Sequence, residues 1–226
     1  MKQKSRYLAR SRVSDKQIRG LVRYFALDLE AVKIARLSGL NRKTVDRYLR
    51  LLRERMAEEC EAAAPFTGEG DVEMDESYFG PRRVRGRRGR GAYGKTIVFG
   101  VLKRGGKVYT EIVPDVSRKT LTEIISGRVD PAHAVHSDGF RSYDGLVDLG
   151  YRKHYRIYHD RDEFVRGKSH INGIEGFWGF AKSRLARYRG VHRSTFYLHL
   201  KECEWRFNHR GEELYPLMLR LLRKRP

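Results

Sequence analysis

The chain has 226 residues, a formal net charge of +20 and 40% hydrophobic residues. This length allows one large domain or one domain with a small second one, and the hydrophobic content is enough for a buried core. Such an excess of positive charge predicts a polyanionic partner. Nucleic acid fits this charge better than a membrane surface does. No apolar run approaches the roughly 20 residues that a membrane-spanning helix requires.

Cysteine usage and the N-terminal sequence indicate the compartment. Cys60 and Cys203 are the only cysteines, and they form no CxxC pair. A zinc ribbon or zinc finger is therefore excluded, and a disulfide framework is not expected. The basic residues 1–12 lack the apolar core of a secretory signal. We expect a cytoplasmic protein with no membrane partner.

The first part of the chain has the periodicity of helices. Apolar residues at helical spacing predict a helix from Ser14, a second over residues 29–37 and a third over residues 42–54, capped by Asn41. The glycine-bearing turn around Gly39 is typical of a helix-turn-helix unit. A three-helix cap with a solvated basic face is the alternative. In a helix-turn-helix unit the start of the second helix contacts base edges, and these residues are Asn41, Arg42, Lys43, Thr44 and Arg47.

A change of period follows a predicted linker over residues 65–71, which contains Pro65 and two glycines. From Val72 to Phe79 the residues alternate as on a strand. Asp75 therefore lies in mid-strand, where aspartate is disfavoured. A strand aspartate is more often an edge residue than a ligand, so this position needs a specific explanation.

A stretch rich in arginine and glycine, residues 80–96, is too polar to pack. A flexible loop that follows DNA phosphates is the natural interpretation, because each neutralised phosphate releases counterions. A solvated or disordered loop in the free protein is compatible with this, since such segments often order on binding. The arginines concerned are Arg82, Arg83, Arg85, Arg87, Arg88 and Arg90.

The rest of the chain alternates between strand and helix patterns. Asp138 ends a short strand and precedes Gly139, which places it at a sheet edge where ligands collect. The order of elements predicts a mixed α/β sheet with helices packed on it. We expect strands over residues 97–103, 107–114, 134–137 and 154–159, and helices over residues 120–125 (capped by Ser117), 141–149, 170–188 and 195–209 (capped by Ser194), with a helical tail.

The helix that begins near residue 170 has two faces of different character. Its apolar stripe consists of Ile174, Trp178, Ala181 and Leu185. The neighbouring face carries Glu175, Gly179 and Lys182, with the acid and the cation about 10 Å apart along the axis. A bulky anion could approach this face closely. Alternatively, Asn172 and Glu175 form a capping box that satisfies the backbone N–H groups at the helix start.

Three acids on three separate elements therefore stand out: Asp75, Asp138 and Glu175. Hard divalent cations such as Mg²⁺ prefer oxygen ligands and keep several waters, so a few convergent carboxylates suffice to bind them. Two such ions about 4 Å apart can support in-line attack on phosphorus. The acids would have to be brought together by the fold.

At this point the motifs resemble those of the DDE-type transposases of small bacterial insertion sequences. The resemblance covers about residues 70–210, together with the helix-turn-helix in front of them. It is carried by four motifs: DESYFG at 75–80, SDGFRSYDGL at 137–146, NGIEGFW with a lysine at 172–182, and ECEWRFN at 202–208.

The resemblance implies a fold and an activity. It implies a ribonuclease-H-like catalytic domain over residues 72–226, with a mixed five-stranded sheet flanked by helices, preceded by a small all-α helix-turn-helix domain over residues 1–64. It implies cleavage at terminal inverted repeats and joining of the 3′ ends to target DNA, with a dimer or larger assembly on double-stranded DNA. The protein would be bacterial and associated with the nucleoid when bound.

The resemblance also implies roles for single residues. Asp75, Asp138 and Glu175 would bind two Mg²⁺ or Mn²⁺ ions, with Asn172 as a rival third ligand, and Lys182 would hold DNA beside them. Two other functions stay open: a non-catalytic DNA-binding regulator, and a nuclease of the same fold without a joining step. A regulator has no need of three acids on three elements of one sheet.

Overall fold

The computed structural model describes residue 7 and residues 11–63, 66–68, 70–80, 94–138, 150–151, 153–157 and 171–223. These residues fall into two compact units, residues 1–62 with 209–226, and residues 63–208. The helices are α1 (Asp15–Ala26), α2 (Ala31–Ser38), α3 (Arg42–Glu61), α4 (Arg118–Arg128), α5 (Asn172–Ala186), α6 (Arg193–Asn208) and α7 (Leu214–Arg223). The strands are β1 (Asp71–Phe79), β2 (Thr96–Lys103), β3 (Val108–Val113), β4 (Ala134–Asp138) and β5 (Lys153–Ile157).

Capping side chains mark the starts of α1 and α3 in the first unit, and a glycine marks the end of α2. Ser14 forms a capping box with Gln17 at the start of α1. Gly39 has a left-handed backbone with φ 66° at the end of α2, which glycine adopts without steric cost. The Asn41 side chain accepts a hydrogen bond from the backbone of Lys43 and so caps α3. The expected helix-turn-helix elements are therefore present, and α3 extends beyond the expected end at residue 54.

The C-terminal helix α7 belongs to this first unit. It packs against α1 and α3 through a buried apolar face formed by Met218, Leu219, Leu221 and Leu222. Residues 209–226 thus lie with the helices and not with the sheet, which differs from the division expected from the chain order.

The second unit is built on a five-stranded sheet with the order β3-β2-β1-β4-β5. The pairs β1–β2 and β2–β3 are antiparallel, whereas β1–β4 and β4–β5 are parallel. Only β2 therefore runs against the other four strands of this sheet, which agrees with the ribonuclease-H-like fold that the sequence resemblance implies. The prediction of a mixed five-stranded sheet flanked by helices and preceded by a helical segment is confirmed.

Each face of the sheet has its own hydrophobic core. Side chains of β1 such as Phe79 pack with α5 and α6 on one face. Val72 and Met74 of the same strand pack with α4 on the other face, because successive strand residues point to opposite faces of a sheet. Ser117 caps α4 as expected. The expected cap Ser194 instead lies inside the first turn of α6, which begins at Arg193.

The outer edge of β3 is covered by polar side chains of α6. Asn208 accepts from the backbone N–H of Val108 at 2.7 Å and donates to its carbonyl oxygen at 2.9 Å. Glu204 accepts from the backbone N–H of Thr110 at 3.0 Å, and Lys201 donates to the Thr110 carbonyl oxygen at 2.8 Å. An edge strand that would otherwise expose unpaired backbone groups is thereby closed. The ECEWRFN motif therefore has a structural explanation.

Candidate active site on strands β1 and β4 and helix α5

Asp75 lies in the middle of β1 on the face covered by α5. Its Oδ2 accepts a hydrogen bond of 3.0 Å from the indole Nε1 of Trp178. The residue opposite Asp75 on β2 is Gly100. A Cβ at Gly100 would lie 2.6 Å from Cζ2 of Trp178, so the absence of a side chain there gives the indole ring its place beside Asp75.

Asp138 is brought next to Asp75 by the parallel pairing of β1 and β4. The last paired residues in that register are Met74 and Ser137, and each acid is the next residue on its strand. Burial, followed by the negative charges of Glu76 and Asp138, raises the pKa of Asp75 from 3.8 to about 7. The two carboxylates are thus close enough to repel each other.

Glu175 lies in the first turn of α5 with its side chain exposed. The capping-box alternative is wrong: the residue before the helix is Ile171, and among the described residues no side chain caps the helix start. The structure brings Asp75 and Asp138 together but does not add Glu175 to them. Among the residues it describes, no three His, Cys, Asp or Glu side chains form a group that could hold a metal ion.

The face of α5 that carries Glu175 is open. Asn172, Gly179 and Lys182 are exposed like Glu175, and a Cβ at Gly179 would meet no atom of the described residues within 4 Å. The Nζ atom of Lys182 lies 5.9 Å from the centre of the Phe79 ring at the end of β1. This position favours a cation–π contact and leaves the ammonium accessible to an anion.

The predicted DNA-contacting residues of α3 lie in the first unit. Lys43 and Arg47 are exposed and Thr44 is partly buried. Arg42 is exposed and pairs with Asp46 at 2.9 Å. The six arginines predicted to follow DNA phosphates lie outside the described residues, as does the segment that follows Asp138. They are Arg82, Arg83, Arg85, Arg87, Arg88 and Arg90.

Sequence patterns did not identify every residue of this site. The helical spacing predicts only that Trp178 belongs to the apolar stripe, because spacing indicates burial but not the partner of an indole N–H. A sequence signal did exist for Gly100, since an isolated glycine inside a strand often marks close approach of another group. Glu73 was a similar signal, because it is an acid within a predicted strand. In the structure its side chain is buried, with 1% of its surface exposed.

Comparison with known proteins identifies the family. The ISXO2-like transposase domain matches residues 67–208, which is most of the chain and contains the whole sheet. The chain therefore belongs to the ISXO2-like transposase family, in agreement with the motifs of the sequence.

Individual relatives agree with this assignment. An uncharacterized transposase-like protein of Haemophilus influenzae is 46% identical over 102 residues, which are 45% of this chain and 81% of that protein. An uncharacterized protein in transposable element ISH50 of Halobacterium salinarum is 30% identical over 196 residues, 78% of this chain. The aligned part spans only 63% of that second relative.

The similarity to one solved structure is much weaker. A chain in the crystal structure of a pre-cleavage Mos1 transpososome aligns at 10% identity with a TM-score of 0.28, over 100% of this chain and 82% of the other. This similarity does not contribute to the assignment. No helix among the described residues is long and apolar enough to cross a lipid bilayer.

Proposed function

We propose that this transposase cuts DNA at terminal inverted repeats in a reaction that depends on divalent metal ions, and transfers the freed 3′ ends into target DNA. The single observation that supports this best is the pair Asp75 and Asp138 on adjacent parallel strands. Their repulsion contributes to the raised pKa of Asp75. Repulsion between two acids lowers the stability of the folded protein, and such pairs are expected at functional sites.

The acid pair fits Mg²⁺ or Mn²⁺. Its donors are carboxylate oxygens, which hard divalent cations prefer, and a cation would remove the repulsion between Asp75 and Asp138. Glu175 is the proposed third ligand and Asn172 its rival, since both are exposed near the start of α5. A bound pair of ions would activate the attacking oxygen and stabilise the leaving oxygen.

The remaining residues bind and orient DNA. Lys182, on the same open face of α5 as Glu175, would pair with a phosphate beside the acids and offset their repulsion of the substrate. The exposed start of α3, with Lys43 and Arg47, would contact base edges of the terminal repeat. Because two ends must be cut and joined together, we expect a dimer or larger assembly on DNA, in the bacterial cytoplasm.

A cleavage and joining assay tests this proposal. The full chain is incubated with Mg²⁺ or Mn²⁺ and with labelled duplexes taken from the DNA that flanks its own gene. We expect nicking and strand joining, both abolished by Asp75→Asn or Asp138→Asn, with DNA affinity nearly unchanged. Glu123→Gln is the matched control, because this exposed acid lies on α4, on the opposite face of the sheet. Equal activity of all these variants would exclude the proposed site.

The third ligand is decided by two further variants in the same assay. If Glu175 binds the metal, Glu175→Gln loses cleavage and Asn172→Ala keeps it. The reverse result would assign that role to Asn172 and remove Glu175 from the site.

A DNA-binding regulator is the second candidate function, favoured by the helix-turn-helix elements of the first unit. It requires binding without cleavage. A protein that binds these duplexes tightly but leaves them intact with either metal would support the regulator. Nicking without joined products would instead indicate a nuclease without strand transfer.

A further inference from the structure

Two polar contacts join α5 to β1, and Glu175 lies between them in the sequence. The backbone N–H of Ile174 donates to Oε2 of Glu73 at 2.9 Å. One helical turn later, Nε1 of Trp178 donates to Oδ2 of Asp75 at 3.0 Å. The Ile174–Glu73 bond is buried and the Trp178–Asp75 bond is partly buried, so breaking either would leave a polar group with reduced access to water.

The spacing of these contacts matches along both elements. From Ile174 to Trp178 a helix rises about 6 Å, and from Glu73 to Asp75 a strand advances about 6.7 Å. The helix therefore runs alongside the strand in the same direction over this stretch. Two contacts one turn apart restrain both the sliding and the rotation of α5, and Glu175 directly follows the first of them.

Glycines allow the close approach at both contacts. A Cβ at Gly173 would lie 2.8 Å from Oε2 of Glu73, and a Cβ at Gly100 would lie 2.6 Å from Cζ2 of Trp178. Either distance is too short for a real contact, so an alanine at either position would displace the helix or its partner. The glycine of the NGIE motif is thus explained by the fit of α5 on β1.

Glu73 has the contacts of a structural carboxylate. Its Oε1 accepts from Nε of Arg104 at 2.8 Å, while Oε2 accepts from the start of α5. Arg104 also pairs with Asp71 at 3.1 Å. Both oxygens of Glu73 are therefore engaged in the folded protein, and the negative charge lies at a helix N-terminus, where it is stabilising.

We propose that Glu73 and Trp178 are positioning residues, which hold α5 against β1 so that Glu175 can act together with Asp75. The catalytic part of this inference rests on the proposed function. The anchoring itself does not, so the two can be tested separately.

Indole NMR tests the anchoring without metal or DNA. The chain has two tryptophans, so ¹⁵N-labelled protein gives two indole N–H resonances, and Trp178→Phe assigns the one from Trp178. We expect Asp75→Asn and Gly100→Ala to shift the Trp178 resonance and to leave that of Trp205, which is buried on α6, in place. An unchanged chemical shift of the Trp178 indole N–H in Asp75→Asn would overturn the proposed contact.

Cleavage kinetics test the positioning role. We expect Trp178→Phe, which keeps most of the ring but loses the N–H, to lower the nicking rate at saturating DNA by about 10–100-fold, the usual loss when a partner of a metal ligand is removed. It should also raise the Mn²⁺ concentration needed for half-maximal rate, with DNA affinity unchanged. Trp205→Phe is the matched control and should keep the rate and the Mn²⁺ dependence.

The Glu73 variants separate positioning from folding. Glu73→Ala removes the acceptor for the backbone N–H of Ile174 and should lower the nicking rate. Glu73→Gln can still accept that hydrogen bond and should keep much of the wild-type nicking rate. Equal rates for Glu73→Ala, Trp178→Phe and wild type would overturn the inference. If the wild-type protein does not cut DNA at all, the proposed function fails, and the NMR result alone decides the anchoring.

Discussion

At the scale of single residues, Asp75 shows how a site can cost stability. Its pKa is raised, so the folded protein favours the neutral carboxyl group. The stabilisation from that neutral form is complete below the unfolded-state pKa near 3.8 and is lost as the pH rises through about 7. Above that pH the folded protein must hold a charged, partly buried carboxylate beside Asp138.

We therefore predict that Asp75→Asn melts at a higher temperature than wild type at pH 8 in EDTA, and that this gap is smaller at pH 5. Thermal denaturation at both pH values measures it. Mn²⁺ should close the gap at pH 8, because a ligand that binds only the folded wild type stabilises it.

Asp115→Asn is the control, since hydrogen bonds from Ser117 and Thr120 lower the pKa of Asp115. That group is ionised in both states from pH 5 to pH 8, so its effect should not change over this range. A constant gap for Asp75→Asn would contradict the raised pKa.

Lys182 is the second residue for which the structure makes a specific prediction. Its exposed ammonium lies near the end of β1, on the face proposed to meet DNA. Lys182→Ala should weaken DNA binding and reduce the slope of log affinity against log salt by about one unit. Fluorescence anisotropy at several salt concentrations measures the slope, and Lys119→Ala on α4 is a control of equal charge. Equal slopes for the two variants would indicate that Lys182 is merely solvated.

At the scale of elements, α6 protects the sheet edge through side chains rather than through another strand. Asn208→Ala leaves the N–H and carbonyl groups of Val108 without their partners, and such losses cost about 1–3 kcal/mol each. We expect a lower urea midpoint and more aggregation, because the edge of β3 becomes open to other chains. Glu213→Ala, an exposed residue beyond α6, should change neither. Unchanged stability of Asn208→Ala would mean that the edge is closed by other groups.

The elements also show what the sequence could and could not predict. Caps such as Ser14, Asn41 and Ser117 are local chemistry, so the starts of α1, α3 and α4 were predictable from a few neighbouring residues. Strand β1 followed from the alternation of its residues, and Asp75 and Asp138 stood out because one lies in mid-strand and the other at a strand end. The partner of Trp178 was not predictable, because a hydrogen bond between residues 103 positions apart depends on the packing of α5 on β1.

At the scale of the whole molecule, α7 belongs to a different unit from the one that the chain order predicts. The chain order predicts that a helix following the four transposase motifs completes the second domain, but the apolar face of α7 packs on α1 and α3. The periodicity of Met218, Leu219 and Leu222 predicts a buried face without saying which unit buries it. The two ends of the sequence therefore form one unit, and the helix-turn-helix elements depend on residues near the C-terminus.

This arrangement predicts a selective loss of stability. Met218→Ala and Leu222→Ala remove side chains that are 0% and 3% exposed, and such truncations cost about 2–5 kcal/mol each. Hydrogen exchange measured by mass spectrometry should show faster exchange in α1 and α3, while β1, β2 and β4 keep their protection. If α3 contacts the terminal repeat, the same variants should also bind DNA more weakly. Arg220→Ala, on the exposed side of the same helix, should leave exchange unchanged. Faster exchange in the strands for either core variant would show instead that α7 stabilises the sheet, and the C-terminal helix would then have to be assigned to the second unit.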